Sequence, residues 1–232
     1  MFHKTLAVAI VAAGVSLVSA SGAVAAPVLT NGSFEAPGLG GGAYSTLNNG
    51  DTTITGWTVG GSDIDYIGSY WQASNGSHSL DLNGYISPGS ISQTITGLTV
   101  GSVYRIFFDM AGNPDSGPAL KTLEVDLDGV FQNAFQFDTT GMSHGAMGWT
   151  TNSFDFTATG ASQLLAFVST TTGFSGNADH PYSFGPALDN VSIDTLRAAP
   201  TAVPEPLTLS VFGAGLAGVV AARRRRRNSA KA

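Results

Sequence analysis

Apolar and polar residues alternate with a period of two through most of the stretch between residues 28 and 197. Leu123-Glu124-Val125-Asp126-Leu127-Asp128 puts three aliphatic side chains on one face and three carboxylates on the other. Asn152-Ser153-Phe154-Asp155-Phe156-Thr157 repeats the pattern. Residues 103–108 and 164–168 are apolar on both faces, as expected of strands in the middle of a sheet. Further strands are expected over 52–59, 63–67, 79–83, 90–96, 131–138 and 188–194. Asp128-Gly129 is a tight hairpin signal, and Val130-Phe131 begins the return strand. About ten short strands separated by Gly, Asn, Asp and Pro turns, without a convincing helix, an interior linker or a long repeat, indicate one all-β antiparallel sandwich.

Both ends break this pattern. Lys4 precedes an apolar run over residues 5–18 and a small-residue stretch ending Ala23-Val24-Ala25-Ala26-Pro27, the layout of a secretory signal peptide over residues 1–25. The run is short for a transmembrane anchor. At the other end, residues 198–206 form a linker that closes in Val203-Pro204-Glu205-Pro206. An apolar segment over 207–222 follows, then a tail over 223–232 that opens with Arg223, Arg224, Arg225, Arg226 and Arg227. Read alone, this is a short transmembrane helix held with its arginines in the cytoplasm. The order Pro-Glu-Pro, apolar helix, arginine cluster resembles the PEP-CTERM sorting signal of Gram-negative bacteria. That resemblance implies an exosortase as partner, at least transient contact with the inner membrane, and a destination in the cell envelope, on the cell surface or in the extracellular matrix.

Composition narrows the function classes. Only 11% of the 232 residues are charged, 30 are Gly and none is Cys, so disulfides, thiolate zinc sites and a cysteine nucleophile are excluded. The net charge of −6 hides an uneven distribution. Residues 26–202 hold three basic residues, Arg105, Lys121 and Arg197, against fifteen acidic ones. Phosphate neutralisation needs clustered Lys and Arg, so nucleic acid is excluded as a partner.

The middle of the chain carries a second resemblance. Asn31-Gly32-Ser33-Phe34-Glu35 and Thr55-Gly56-Trp57 open the domain, and Ala187-Leu188-Asp189-Asn190-Val191-Ser192-Ile193 closes it. Between them come Ile64-Asp65-Tyr66-Ile67, Tyr70-Trp71-Gln72, Ser79-Leu80-Asp81-Leu82-Asn83-Gly84 and Ile91-Ser92-Gln93-Thr94-Ile95. The opening and closing pair resembles the galactose-binding-like jelly rolls of bacterial carbohydrate-binding modules. The middle order resembles the choice-of-anchor C domain, related to a plant cell-wall-associated family. Tyr66 stands where that pattern has Trp. The resemblance implies a jelly roll over residues 26–197, a polysaccharide or cell-wall glycan as partner, and a structural calcium ion near Glu35 and Asp189. Calcium takes six to eight oxygens from carboxylates and carbonyls. The alternative role for the two carboxylates is capping of backbone N–H groups.

Catalytic signals are weak. Gly141-Met142-Ser143-His144-Gly145 fits the serine-hydrolase spacing, but Gly145 to Trp149 is a poor helix start for a nucleophile elbow. Glu124-x-Asp126-x-Asp128-Gly129 imitates half a calcium loop, with Phe135 where the bidentate Glu belongs. His78, His144 and His180 are not spaced as a zinc set. A carboxylate pair for glycoside hydrolysis stays open, since fifteen acids offer many combinations. Aromatics near expected loops are the better lead: Tyr70, Trp71, Tyr85, Trp149 and Tyr182 suit stacking against sugar rings, and otherwise serve to plug the ends of the sandwich. Two readings follow: an exported, non-catalytic glycan-binding protein, or a structural matrix protein acting through protein contacts. A glycan hydrolase stands behind both.

Overall fold

A computed structural model describes residues 26–85, 87–176, 182–200 and 208–229. The expected signal peptide over 1–25, His180 and the Val203-Pro204-Glu205-Pro206 motif lie outside the described residues. The chain divides after Arg197 into two units. The first is all-β. Its strands are β1 (Tyr44–Asn48), β2 (Thr58–Gly61), β3 (Asp63–Ile67), β4 (Ser79–Asp81), β5 (Gly89–Thr96) and β6 (Val103–Gly112), followed by β7 (Leu120–Leu127), β8 (Val130–Asp138), β9 (Thr150–Thr157), β10 (Ser162–Ser169) and β11 (Pro186–Arg197). They form two antiparallel sheets, ordered β1-β3-β4-β11-β6-β9 and β2-β5-β10-β7-β8. This is the expected antiparallel sandwich.

The alternation decides which side chains go inside. In β7, Lys121, Leu123, Val125 and Leu127 are buried while Thr122, Glu124 and Asp126 face outward. The six-stranded sheet contributes Ile64, Tyr66, Leu80, Ile106, Phe108 and Leu188 to the core. The five-stranded sheet answers with Ile91, Ile95, Leu123, Val125, Leu165 and Phe167. Phe108 meets Phe167 edge-on across the interface at 5.1 Å between ring centroids, and Trp57 packs on Phe34 at 5.3 Å. Each fully buried ring of this kind contributes on the order of 2–3 kcal/mol. The Asp128-Gly129 turn joins β7 to β8 as expected: both residues have positive φ, 52° and 76°, and Leu127 pairs with Val130.

The strand expected over 52–59 forms only at its end, in β2. Before it, Asp51 Oδ1 accepts from Thr53 N at 2.6 Å and Ile54 O accepts from Trp57 N, so the backbone turns instead of extending. The strand β1 was not anticipated.

The second unit contains the helix α1 (Thr208–Ser229). Its apolar part ends at Ala222, and the arginines 223–227 continue the same helix. Among the described residues no helix is long and apolar enough to cross a membrane. Of the segment expected as a transmembrane helix over 207–222, residues 208–222 are helical, and the helix continues through the arginines to Ser229.

Candidate functional site

A cleft of about 250 Å³ opens on the face of the six-stranded sheet opposite the core. Its floor comes from neighbouring strands in register: Tyr44 pairs with Ile67 and Thr46 with Asp65 across β1 and β3, and Asp65 pairs with Asp81 across β3 and β4. Period-two alternation turns these residues away from the buried Ile64, Tyr66 and Leu80. Asn113, just after β6, and the loops carrying Tyr70, Gly84-Tyr85 and Ser183-Phe184 complete the wall.

Asp81 anchors the floor. It is fully buried, with Oδ1 accepting from the backbone N–H groups of Asn83 and Gly185, both at 2.9 Å, and Oδ2 accepting from Asn113 Nδ2 at 2.8 Å. Burial pushes its pKa up to about 7, with the charge of Asp65 adding to the rise, against these three N–H donors. Asp65 accepts from the Thr46 hydroxyl at 2.6 Å. Beneath them Asn83 joins the loop before β11 to the sheet. Its Nδ2 donates to Tyr182 O and Thr171 O, and its Oδ1 accepts from Ser169 Oγ.

The mouth is aromatic. Tyr44 and Tyr85 are 51% and 50% exposed. Tyr44 meets Tyr70 edge-on at 5.4 Å, and Tyr70 lies 4.5 Å from the His144 ring. The Tyr70 hydroxyl donates to Asp115 Oδ2 at 2.7 Å, while His144 Nε2 contacts Oδ1 of the same carboxylate at 2.6 Å. Burial, reinforced by Asp115, raises the Tyr70 pKa, so this hydroxyl stays protonated.

Of the aromatics singled out in the sequence, Tyr70 and Tyr85 line this cleft. Trp71 does not stand out as a platform. It is 5% exposed within the core, and its Nε1 donates to Ser79 Oγ at 2.8 Å. Trp149 is partly buried and donates to Gln72 O at 2.8 Å, which pins the loop after β3 to the segment before β9. Tyr182 is 43% exposed and lies outside the cleft lining, and its carbonyl accepts from Asn83. Tyr66 is a core ring whose hydroxyl donates to Phe34 O and accepts from Gly38 N, far from a ligand-contact role. Sequence reasoning missed Tyr44, Asp65, Asp81 and Asn113. The alternation Tyr44-Ser45-Thr46-Leu47 is the signal that would have found β1 and its outward tyrosine.

Glu35 and Asp189 grip one loop from two sides. Glu35 Oε1 accepts from Ser77 N and His78 N, both at 2.8 Å, and Oε2 accepts from Ser77 Oγ at 2.9 Å and His78 Nδ1 at 3.0 Å. His78 Nε2 accepts from Leu39 N, so Nδ1 carries the proton in this network. Although burial opposes it, this set of hydrogen bonds lowers the Glu35 pKa to about 2. Asp189 is buried and accepts from Asn75 N at 2.8 Å and Asn190 N at 2.6 Å. Burial outweighs these bonds and raises its pKa to about 7. Asp189 thus accepts from two backbone N–H groups, and Glu35 from two backbone N–H groups, the Ser77 hydroxyl and the His78 ring, so both carboxylates take the loop-capping role that is the alternative to calcium ligation. Among the described residues no group of three or more His, Asp or Glu has a metal-holding arrangement.

The remaining motifs have structural explanations. Ser143 and Ala146 exchange backbone hydrogen bonds in a tight turn, and no helix follows the serine. Glu124 and Asp126 stay on the outer face of β7, and Asp128 accepts from Leu164 N and Gln163 Nε2.

Residues 27–194 match the family described as protein of unknown function (DUF642). The chain belongs to the DUF642 family. It is also 31% identical over 198 residues to halomucin of Haloquadratum walsbyi, a match covering 83% of this chain and 2% of that far longer protein. Among solved structures, the xylan-binding CBM22-1 domain of Xyn10C from Paenibacillus barcinonensis is similar at 20% identity and a TM-score of 0.44, covering 67% of this chain and 95% of that one. CBM35 from the same organism is similar at 18% identity and a TM-score of 0.42, covering 65% and 98%.

Proposed function

We propose that this DUF642 protein is a non-catalytic carbohydrate-binding protein and that the cleft between Tyr44, Tyr70 and Tyr85 is its glycan site. One observation carries the reading. Exposed Tyr44 and Tyr85 and the partly buried Tyr70 surround a floor of hydroxyl, carboxylate and amide groups whose positions are fixed by hydrogen bonds. Sugars present the matching surface, an apolar C–H face ringed by hydroxyls, and sites with rigid aromatic bodies and a few oriented polar groups bind them. The cleft is small for a ligand site, which suits a short segment of a polymer. The full burial of Asp81 and its three N–H donors suit a carboxyl that holds the floor in place, which supports the binding reading over a hydrolytic one.

Export and sorting complete the reading. The signal-peptide layout of residues 1–25 and the Pro-Glu-Pro, apolar, arginine order of residues 204–227 support passage through the inner membrane. Processing by an exosortase would follow at the envelope, with choice-of-anchor C as the corresponding domain type. Mass spectrometry of envelope and medium fractions tests this: the mature form lacks both ends, and full retention of the arginine tail contradicts it.

The test of binding is retention of the full-length protein on a glycan array. Tyr44→Ala with Tyr85→Ala lowers retention roughly tenfold or more, the loss expected from two stacking rings at about 0.5–1.5 kcal/mol each. Absence of retention on every glycan favours the structural-protein reading. The specific observation behind that second reading is the sheet-edge strand β8, which exposes Val130 and Phe131 and carries no charge before Asp138.

A further inference from the structure

We infer that the cleft selects its glycans by charge: it accepts uncharged and free-amine sugars and turns away those bearing carboxylate or sulfate groups. The inference rests on the glycan-binding reading above and specifies its substrate class.

Three carboxylates meet at the site. Asp65 and Asp81 are directly opposed on β3 and β4 and both line the cleft, and Asp115 holds Tyr70 at its mouth. No Lys or Arg is among the described residues of the lining. None of the domain's three basic residues lines the cleft. Lys121 lies buried behind the wall within electrostatic reach of Asp81 and Asp115, and its ammonium donates to Ser116 O at 2.9 Å and to Phe184 O at 2.6 Å instead of opening toward a ligand. Arg105 makes a two-pronged pair with Asp155 across β6 and β9, and Arg197 ends β11. Three backbone donors at the floor are already taken. The N–H groups of Asn83 and Gly185 go to Asp81, and that of Tyr85 goes to Asp63 Oδ2 at 2.6 Å.

Recognition of a carboxylate or sulfate needs a cation or converging N–H donors. The donors named above already serve carboxylates of the protein. An anionic sugar entering it meets like charge within a few ångströms. At effective dielectric constants between those of a protein surface and water, one such encounter is worth roughly tenfold in affinity. A sugar ammonium gains by a similar factor. Both effects shrink as salt rises.

The experiment uses polymers that differ in charge on one backbone: galacturonan in methyl-esterified and de-esterified forms, and polyglucosamine in free-amine and N-acetylated forms. Full-length protein is assayed for retention at low and high salt, the galacturonan pair at mildly alkaline pH, where imidazoles are uncharged, and the polyglucosamine pair at mildly acidic pH, where the glucosamine amines carry protons. The ester is retained roughly tenfold better than the carboxylate, and the amine at least as well as its acetylated form. Asp65→Asn narrows the ester-to-carboxylate ratio several-fold. Equal or better retention of the carboxylate form, acetylated retention without amine retention, or a ratio untouched by Asp65→Asn overturns the inference while leaving glycan binding standing. No retention on any of these polymers or on a neutral panel overturns the glycan reading itself, and the charge rule with it.

Discussion

Residues of the same type take different work here according to which face of a strand or loop they occupy. Trp71 and Tyr85 both follow expected strand ends in sequence, yet one is a core ring and the other half exposed beside a polar floor. Their variants therefore separate two effects. Trp71→Ala destabilises the fold by about 3–5 kcal/mol, the usual cost of emptying a buried aromatic site, which a denaturant titration measures. Tyr85→Ala leaves the unfolding midpoint nearly unchanged and shows instead in glycan retention. The acids behave with the same selectivity. A carboxyl whose pKa is higher in the folded than in the unfolded chain takes up a proton on folding, so stability falls as pH rises between the two values. Asp81 and Asp189, both raised to about 7 by burial, give a loss of stability from about pH 4 to about pH 7. Glu35, lowered to about 2, adds the opposite trend: its contribution is present above its unfolded value and lost on acidification below it. Melting curves across pH are expected to peak in the mildly acidic range, and Asp189→Asn is expected to flatten the alkaline limb. A stability maximum at pH 8 or above contradicts these assignments.

Strands and turns with a strong local signal were legible. The Leu123–Leu127 alternation and the Asp128-Gly129 hairpin specify β7, its inward face and its return strand from local sequence alone. What escaped was set by tertiary packing. The strand β1 is five residues long, preceded by a glycine run, and exists by pairing with β3; nothing local announces that partner. The floor acids were legible as strand residues but not as a site, since only the β3–β4 register brings Asp65 opposite Asp81. The loop after β3 shows how tightly such packing specifies sequence. A Cβ on Gly76 would lie 2.4 Å from Glu35 Oε1, and its φ is +68°, whereas Gly129 at φ +76° has open space around it. Gly129→Ala therefore costs about 1 kcal/mol of backbone strain alone, and Gly76→Ala costs clearly more because the Glu35 grip must also move. Matched denaturant midpoints decide; equal costs would mean that the Glu35 grip on this loop carries little energy.

At the scale of the whole molecule, a sandwich without disulfides is held by two inward apolar faces, and its charges are unevenly distributed. The domain region carries fifteen acids against three bases, and none of those bases lines the cleft. The calcium ion implied by the jelly-roll resemblance finds Glu35 and Asp189 already engaged with the 74–78 loop. Melting of the protein in millimolar calcium is thus expected to match melting in chelator. A rise that disappears in Glu35→Gln would instead assign those oxygens to a metal, since a bound ion at a thousand times its dissociation constant adds roughly 4 kcal/mol.

The central claim is that the tyrosine-rimmed cleft of the six-stranded sheet is the glycan site. NMR titration of the isotopically labelled protein with a retained oligosaccharide tests it most directly. The account predicts amide shifts concentrated at Tyr44, Thr46, Asp65, Tyr70, Tyr85 and Asn113, and their loss in Tyr44→Ala with Tyr85→Ala. The opposite sheet offers the contrasting surface, a groove lined by Thr58, Ser92, Gln93 and Thr94. Shifts centred on that groove, with the cleft residues unmoved, would contradict the claim.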